Sequence, residues 1–128
     1  IDGRTMLRKL WQSDEDPPGD CSPVIYEGKL FTINDKGWMT CFDALTGKIF
    51  WNERLKPGRY VSSLVAGDGK VYSCSTKGLT TVVAADEEFR IIAENDLKGR
   101  CYATGAFSNS QIFLRIGSYL YCIEAERP

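Results

Sequence analysis

Gly28-Lys29-Leu30-Phe31 is followed 41 positions later by Gly69-Lys70-Val71-Tyr72, the same pattern of turn glycine, lysine, aliphatic and aromatic residue. Gly37 returns as Gly78 by the same shift, Ser22 as Ser63 and Val24 as Val65. A third copy is more worn. Phe31 and Tyr72 continue to Phe113, and Cys41-Phe42 corresponds to Cys122-Ile123 with one residue lost. A period of roughly 40 residues carrying several short strands marks the blade of a β-propeller.

The best-preserved copy reads as four strands and three turns. Ser22-Pro23-Val24-Ile25-Tyr26 is a short strand with proline at its start, where a missing N–H does least harm. Glu27-Gly28 is a tight turn, and Lys29 to Asn34 alternates as a second strand. Asn34-Asp35-Lys36-Gly37 turns the chain into a third strand, Trp38 to Asp43. At Asp43-Ala44-Leu45-Thr46-Gly47 the aspartate can bond backbone amides ahead of it and Gly47 accepts positive φ. Lys48 to Trp51 is the fourth strand.

The second copy places its outer strands at Thr80–Val83 and Phe89–Ile92, joined through Asp86-Glu87-Glu88. The third supplies three strands and stops. Leu10-Trp11 matches Phe50-Trp51 at a spacing of 40, so Arg8 to Trp11 has the character of a fourth strand. The expected fold is all-β, a partial propeller of about three blades, each of four antiparallel strands. It forms a single unit over 1–128, with blade-like repeats at about 20–55, 60–97 and 101–124. Residues 5–12 supply the outer strand of a preceding or closing blade, giving twelve strands, cut out of phase. Three blades do not easily close a ring. Either the chain is part of a longer propeller, or two copies form a six-bladed ring by exchanging the first strand; the former is expected.

Bulk composition excludes several functions. Lys+Arg is 16 against 17 Asp+Glu, a formal charge of −1, so no basic field exists to hold a nucleic-acid backbone. The apolar runs are too short to span a membrane and no secretory signal opens the chain, which begins with Ile1. There is no histidine for a Ser-His or Cys-His dyad. The five cysteines lack zinc-site spacing, and their expected role is as small buried hydrophobes, a disulfide being possible but not assignable.

The motifs Ser22-Pro23-Val24, Gly28, Asp35, Gly37, Asp43-Ala44, Thr46-Gly47-Lys48 and Trp51 together resemble the pyrroloquinoline-quinone-type propeller repeat. The resemblance covers about residues 5 to 124, fullest in the first blade. It implies that Trp11 and Trp51 pack between adjacent blades and that the protein is secreted or periplasmic. The family includes calcium- and quinone-dependent alcohol dehydrogenases and the propeller lipoprotein of the bacterial outer-membrane assembly machine, so membership leaves function open. The dehydrogenases hold their quinone with adjacent cysteines, a stacked Trp and an Asp base beside calcium. No two cysteines adjoin here and no oxygen-ligand cluster is apparent, so no cofactor or metal is expected.

Thr46-Gly47-Lys48 lacks the rest of a phosphate loop and reads as a hairpin turn. Asp14-Glu15-Asp16-Pro17-Pro18-Gly19-Asp20 reads as an exposed acidic connector, and Asp14/Asp16 and Glu87/Glu88 as solvated carboxylates. One recurrence suggests a site. Gly58-Arg59 returns as Gly99-Arg100 in the loops leading from one blade to the next, followed closely by Tyr60 and Tyr102. Two guanidiniums beside aromatic faces can hold an anionic or planar ligand. The competing reading, favoured for repeated residues, is that Arg59 and Arg100 fix blade spacing, as Gly37, Gly78, Asp43 and Gly47 do for turns. The function this supports is a non-catalytic binding or scaffolding propeller for a protein or small anion. The rivals are a portion of a quinone-dependent dehydrogenase and a ligand-sensing domain.

Overall fold

The computed structural model describes residues 6–126. Eleven strands form three antiparallel sheets. The first, β1 (Val24–Tyr26), β2 (Lys29–Ile33), β3 (Trp38–Asp43) and β4 (Ile49–Arg54), runs in sequence order. The second, β5 (Val65–Gly67), β6 (Lys70–Cys74), β7 (Leu79–Ala84) and β8 (Ile91–Asp96), repeats it. The third has three strands, β9 (Ala106–Ser108), β10 (Gln111–Ile116) and β11 (Tyr119–Glu124). These are propeller blades, and the fold is all-β.

The repeat is physical as well as textual. Phe31, Tyr72 and Phe113 face Cys41, Val82 and Cys122 across their ladders, and β4 and β8 each carry a bulge beside that position. The Ser22 N–H donates to Ser63 Oγ (2.8 Å), and the Ser63 N–H donates to Thr104 Oγ1 (3.0 Å). The 41-residue shift is thus also a chain of hydrogen bonds linking all three blades. Glu27-Gly28 and Asp68-Gly69 both take positive φ, 48° and 75°, then 50° and 71°, as a two-residue turn between right-twisted strands requires. Asp43 Oδ1 accepts the Leu45 and Thr46 N–H groups at 2.9 and 3.2 Å, forming the expected side-chain-stabilised turn.

Apolar side chains fill the junctions between blades. Phe31, Ile33, Met39, Cys41, Trp51, Tyr60, Leu64, Val71 and Val83 join the first blade to the second. Cys74, Cys101, Ile112, Leu114 and Ile116 join the second to the third.

Four expectations change. Residues 6–12 form no strand, so the described strands number eleven rather than twelve (residue 5 lies outside the described residues). A fourth strand is held by the ladder to a third strand, and among the described residues no strand lies beside 6–12 to pair with them. The outer strand of the second blade runs Ile91–Asp96, later than expected. Phe89 is drawn out of the ladder to pack edge-on against Trp51, with ring centroids 5.0 Å apart. Cys122 is exposed, unlike Cys41, because nothing among the described residues covers the outer side of β11. Asp16 is docked rather than solvated: its carboxylate accepts from the side-chain amides of Asn34 (3.4 Å) and Asn52 (3.0 Å).

Candidate functional site

In antiparallel blades the chain direction decides which loops share an end. The β2–β3, β4–β5, β6–β7, β8–β9 and β10–β11 connections lie at one end, and the alternate connections lie at the other. Across the second and third blades the first end carries Lys56, Arg59, Lys77, Lys98, Arg100 and Arg115, against Glu94 and Asp96. Lys56 reaches Glu94 at 3.4 Å, and Asp96 Oδ1 accepts the backbone N–H of Lys98 at 2.9 Å. Arg59, Lys77, Lys98, Arg100 and Arg115 are exposed and have no ion-pair partner among the described residues. The opposite end of the same blades carries Asp68, Asp86, Glu87, Glu88 and Glu124 against Lys70 and Arg90. The second and third blades are therefore polarised end to end, which gross composition could not reveal.

Two clefts lie on the cationic end. Lys56, Arg59, Lys77 and Lys98 wall one of about 490 Å³. Arg100, Tyr102 and Arg115 line a second, of about 260 Å³, in which the Arg100 guanidinium sits 5.4 Å from the centre of the Tyr102 ring. A face-on guanidinium keeps its edge free for a carboxylate or phosphate.

The repetition of Arg59 and Arg100 has a backbone cause. The Arg59 carbonyl accepts from the Thr76 N–H (2.8 Å), while the next residue's N–H donates back to Asp35 O (3.0 Å). In the following junction the Arg100 carbonyl accepts from Gly117 N–H (2.8 Å), and the Cys101 N–H donates to Thr76 O (3.1 Å). Each dipeptide ties one blade's hairpin to the next. The side chains remain free of that task.

Tyr60 leaves the candidate set. It is 1% exposed, its hydroxyl donates to Lys56 O at 2.8 Å, and burial pushes it up to about 12. Tyr102 is 48% exposed. Hydrogen-bond register equates Tyr60 with Cys101, so Tyr102 is displaced by one residue and points the other way. Arg59 and Arg100 line separate clefts. Sequence reading missed Lys56, Lys77, Lys98 and Arg115. Lys36 and Lys77, each before its turn glycine, offered a repeat signal for one of them. Arg115 offered none, since only the β10–β11 hairpin brings it beside Arg100.

The turn residues act as supports. A Cβ at Gly37 would lie 2.8 Å from Tyr60 Cε2, and one at Gly78 would lie 2.6 Å from Gly99 O. All five cysteines are free thiols, four of them buried. Burial pushes Cys21 up to about 11 and Cys41 to about 12. The hydrogen bond between Cys74 and Cys101 raises the former and brings the latter down to about 7. Among the described residues no three thiol or carboxylate groups converge to hold a metal ion. The residues present do not fit the quinone either, because no two cysteines adjoin and four of the five are enclosed in blade cores.

A family model described as outer membrane protein assembly factor BamB, of the pyrroloquinoline-quinone-type repeat, matches residues 8–100. The chain belongs to this propeller-repeat family. Among solved structures, BamB from Moraxella catarrhalis is 14% identical, with a TM-score of 0.64, over 73% of this chain and 28% of its own. The quinohemoprotein alcohol dehydrogenase ADHIIG from Pseudomonas putida HK5 is 16% identical, with a TM-score of 0.73, over 91% of this chain and 20% of its own. The quinohemoprotein alcohol dehydrogenase of Comamonas testosteroni is 16% identical, with a TM-score of 0.64, over 78% and 17%. This chain thus spans under a third of the length of each. At such identities the likeness is one of fold. No curated protein matches the sequence significantly.

The interblade tryptophan of this propeller-repeat chain occurs twice. Trp51 is 7% exposed, packs near Phe31 and Phe89, and donates its indole N–H to Asp86 O in the next blade at 3.0 Å. Trp11 stacks on Phe42 (5.4 Å) and donates to Ala44 O at 3.0 Å. It lies so close over Gly47 that a Cβ there would fall 2.6 Å from the ring. Trp11 is therefore seated on the first blade as Trp51 is on the second, although no strand carries it.

Proposed function

We propose that these blades form a non-catalytic binding and scaffolding module whose cationic end receives an acidic protein surface. The observation carrying this reading is the row of exposed cations Arg59, Lys77, Lys98, Arg100 and Arg115, without ion-pair partners among the described residues, at one end of the second and third blades of a chain whose formal charge is −1. The absence of histidine leaves no ordinary nucleophile–base pair. The family description, an outer-membrane-protein assembly factor, supports a role within an assembly and a secreted or periplasmic location. The rival, a portion of a quinone-dependent dehydrogenase, shares the fold, but no two cysteines adjoin in the chain to hold the quinone.

The test is anisotropy of a labelled poly-L-glutamate peptide at rising ionic strength. Binding should weaken with salt and fall about tenfold, 1.4 kcal/mol, in the double variant Arg100→Ala/Arg115→Ala, while the thermal midpoint stays unchanged. Glu87→Gln, on the other end, should leave binding unaltered. Salt-independent binding, or equal losses in both variants, sinks the reading. Inorganic phosphate binding as tightly as the peptide would make the end a small-anion site instead.

A further inference from the structure

We infer that the junction between the second and third blades is a binding site for an uncharged planar aromatic ligand of the indole class. The argument starts from the two tryptophan seats. Trp51 pairs with Cys41 immediately before the bulge in its ladder, and Ala93 pairs with Val82 at the same place in the second blade. The position that projects an indole into the first junction therefore projects only a methyl group into the second.

The neighbouring side chains have not closed the gap. A cavity of about 120 Å³ remains, lined by Ala93, Tyr72, Val82, Ile112, Ile123 and Ala125 among others. Its parts correspond to those of the occupied seats. Tyr72 stands where Phe31 flanks Trp51, and Ala125 follows Cys122 by three residues, as Ala44, whose carbonyl accepts the Trp11 N–H, follows Cys41. The cavity opens to solvent, with Asn95 and Ser110 also in its lining, and its volume approaches the roughly 150 Å³ that accommodates one benzene ring in an enclosed apolar cavity. Lys70 and Glu124 at its rim are opposite in charge, so nothing there selects an ion. The chain itself thus supplies the template for the ligand: a flat apolar ring system with one N–H directed at a backbone carbonyl. None of the cations Arg59, Lys77, Lys98, Arg100 and Arg115 lines this cavity, so it stands apart from the scaffolding proposal.

The probe is indole, titrated into the full chain and followed by amide chemical shifts, with indene as the isostere lacking the N–H. Saturable shifts should centre on Ala93, Ile112, Ile123 and Ala125, with indole bound about fivefold more tightly than indene, as one net hydrogen bond implies. Ala93→Trp should fill the seat, raise the thermal midpoint and abolish indole binding. Ala93→Leu, which fills part of the seat without the indole's geometric demands, should weaken binding more than tenfold and carries the test if the tryptophan variant does not fold. Non-saturable or scattered shifts, indene bound as well as indole, or undiminished binding to Ala93→Leu would each overturn the inference.

Discussion

Replacing Trp51 by alanine tests whether the blades are held by the junctions between them. The side chain is 7% exposed, with its ring centroid 5.0 Å from Phe89 in the next blade and 6.0 Å from Phe31 in its own. Removing a buried tryptophan costs about 3–5 kcal/mol through lost transfer energy and the residual cavity. The Asp86 carbonyl loses its 3.0 Å partner but lies in an exposed turn where water can replace it, which adds little. The expected total is about 4 kcal/mol, a large part of a typical stability of about 5–15 kcal/mol. Trp51→Phe keeps most of the packing and should cost about 1–2 kcal/mol. Trp11 is only half-buried, so Trp11→Ala should cost less than half as much as Trp51→Ala. Urea unfolding followed by far-ultraviolet circular dichroism measures all three, with an unchanged m-value marking a pure stability effect. A loss below about 1 kcal/mol for Trp51→Ala, or equal losses at Trp11 and Trp51, would refute interblade docking as the source of stability.

Gly78→Ala should destabilise by about 2–4 kcal/mol, because φ is +90° and the new Cβ would meet the Gly99 carbonyl at 2.6 Å. Gly28→Ala, at φ +75° with nothing within 4 Å, should cost only about 1 kcal/mol; denaturant midpoints for the pair check the contrast, and equal losses would contradict it. Thiol titration of the native chain should find one fast-reacting cysteine, Cys122, and release the other four only on unfolding. Cys101 is no exception, since a side chain enclosed at 0% exposure cannot be reached by reagent. Alkaline pH should unfold the protein. Cys21 and Cys41 ionise from pH 9.0 when exposed but hold their protons to about 11 and 12 when folded, so their contribution is complete below pH 9 and is lost as pH rises through that window. The slope should approach about 1.4 kcal/mol per pH unit for each thiol; a thermal midpoint flat from pH 9 to 11 would contradict the assignment.

The blade order was legible because every turn carries its own chemistry. Asp43 caps the amides ahead of it, and Glu27-Gly28 and Gly37 accept left-handed backbone, all within a few residues of sequence. The candidate site was legible only in part. Arg59 and Arg100 declared themselves by repetition, but the repetition serves their carbonyls, which stitch one blade to the next. Tyr60 and Tyr102 looked equivalent until their register, one residue apart, turned the first into the core and the second to solvent. Asp16 reads as one carboxylate in an acidic run, and its amide partners Asn34 and Asn52 lie 18 and 36 residues away.

By itself the sequence determined the all-β class, the family of repeat and the division into blades, because periodic glycines, aromatics and turn aspartates act over short chain distances. Tertiary structure decided what those blades present. It gathered Lys56, Lys77, Lys98 and Arg115 beside the two repeated arginines, left Cys122 exposed where Cys41 is buried, and opened a cavity at Ala93 where Trp51 fills the preceding junction. Each of these depends on which end of a blade a loop occupies and what the neighbouring blade sets against it. Such contacts between distant residues are fixed by packing rather than by local pattern.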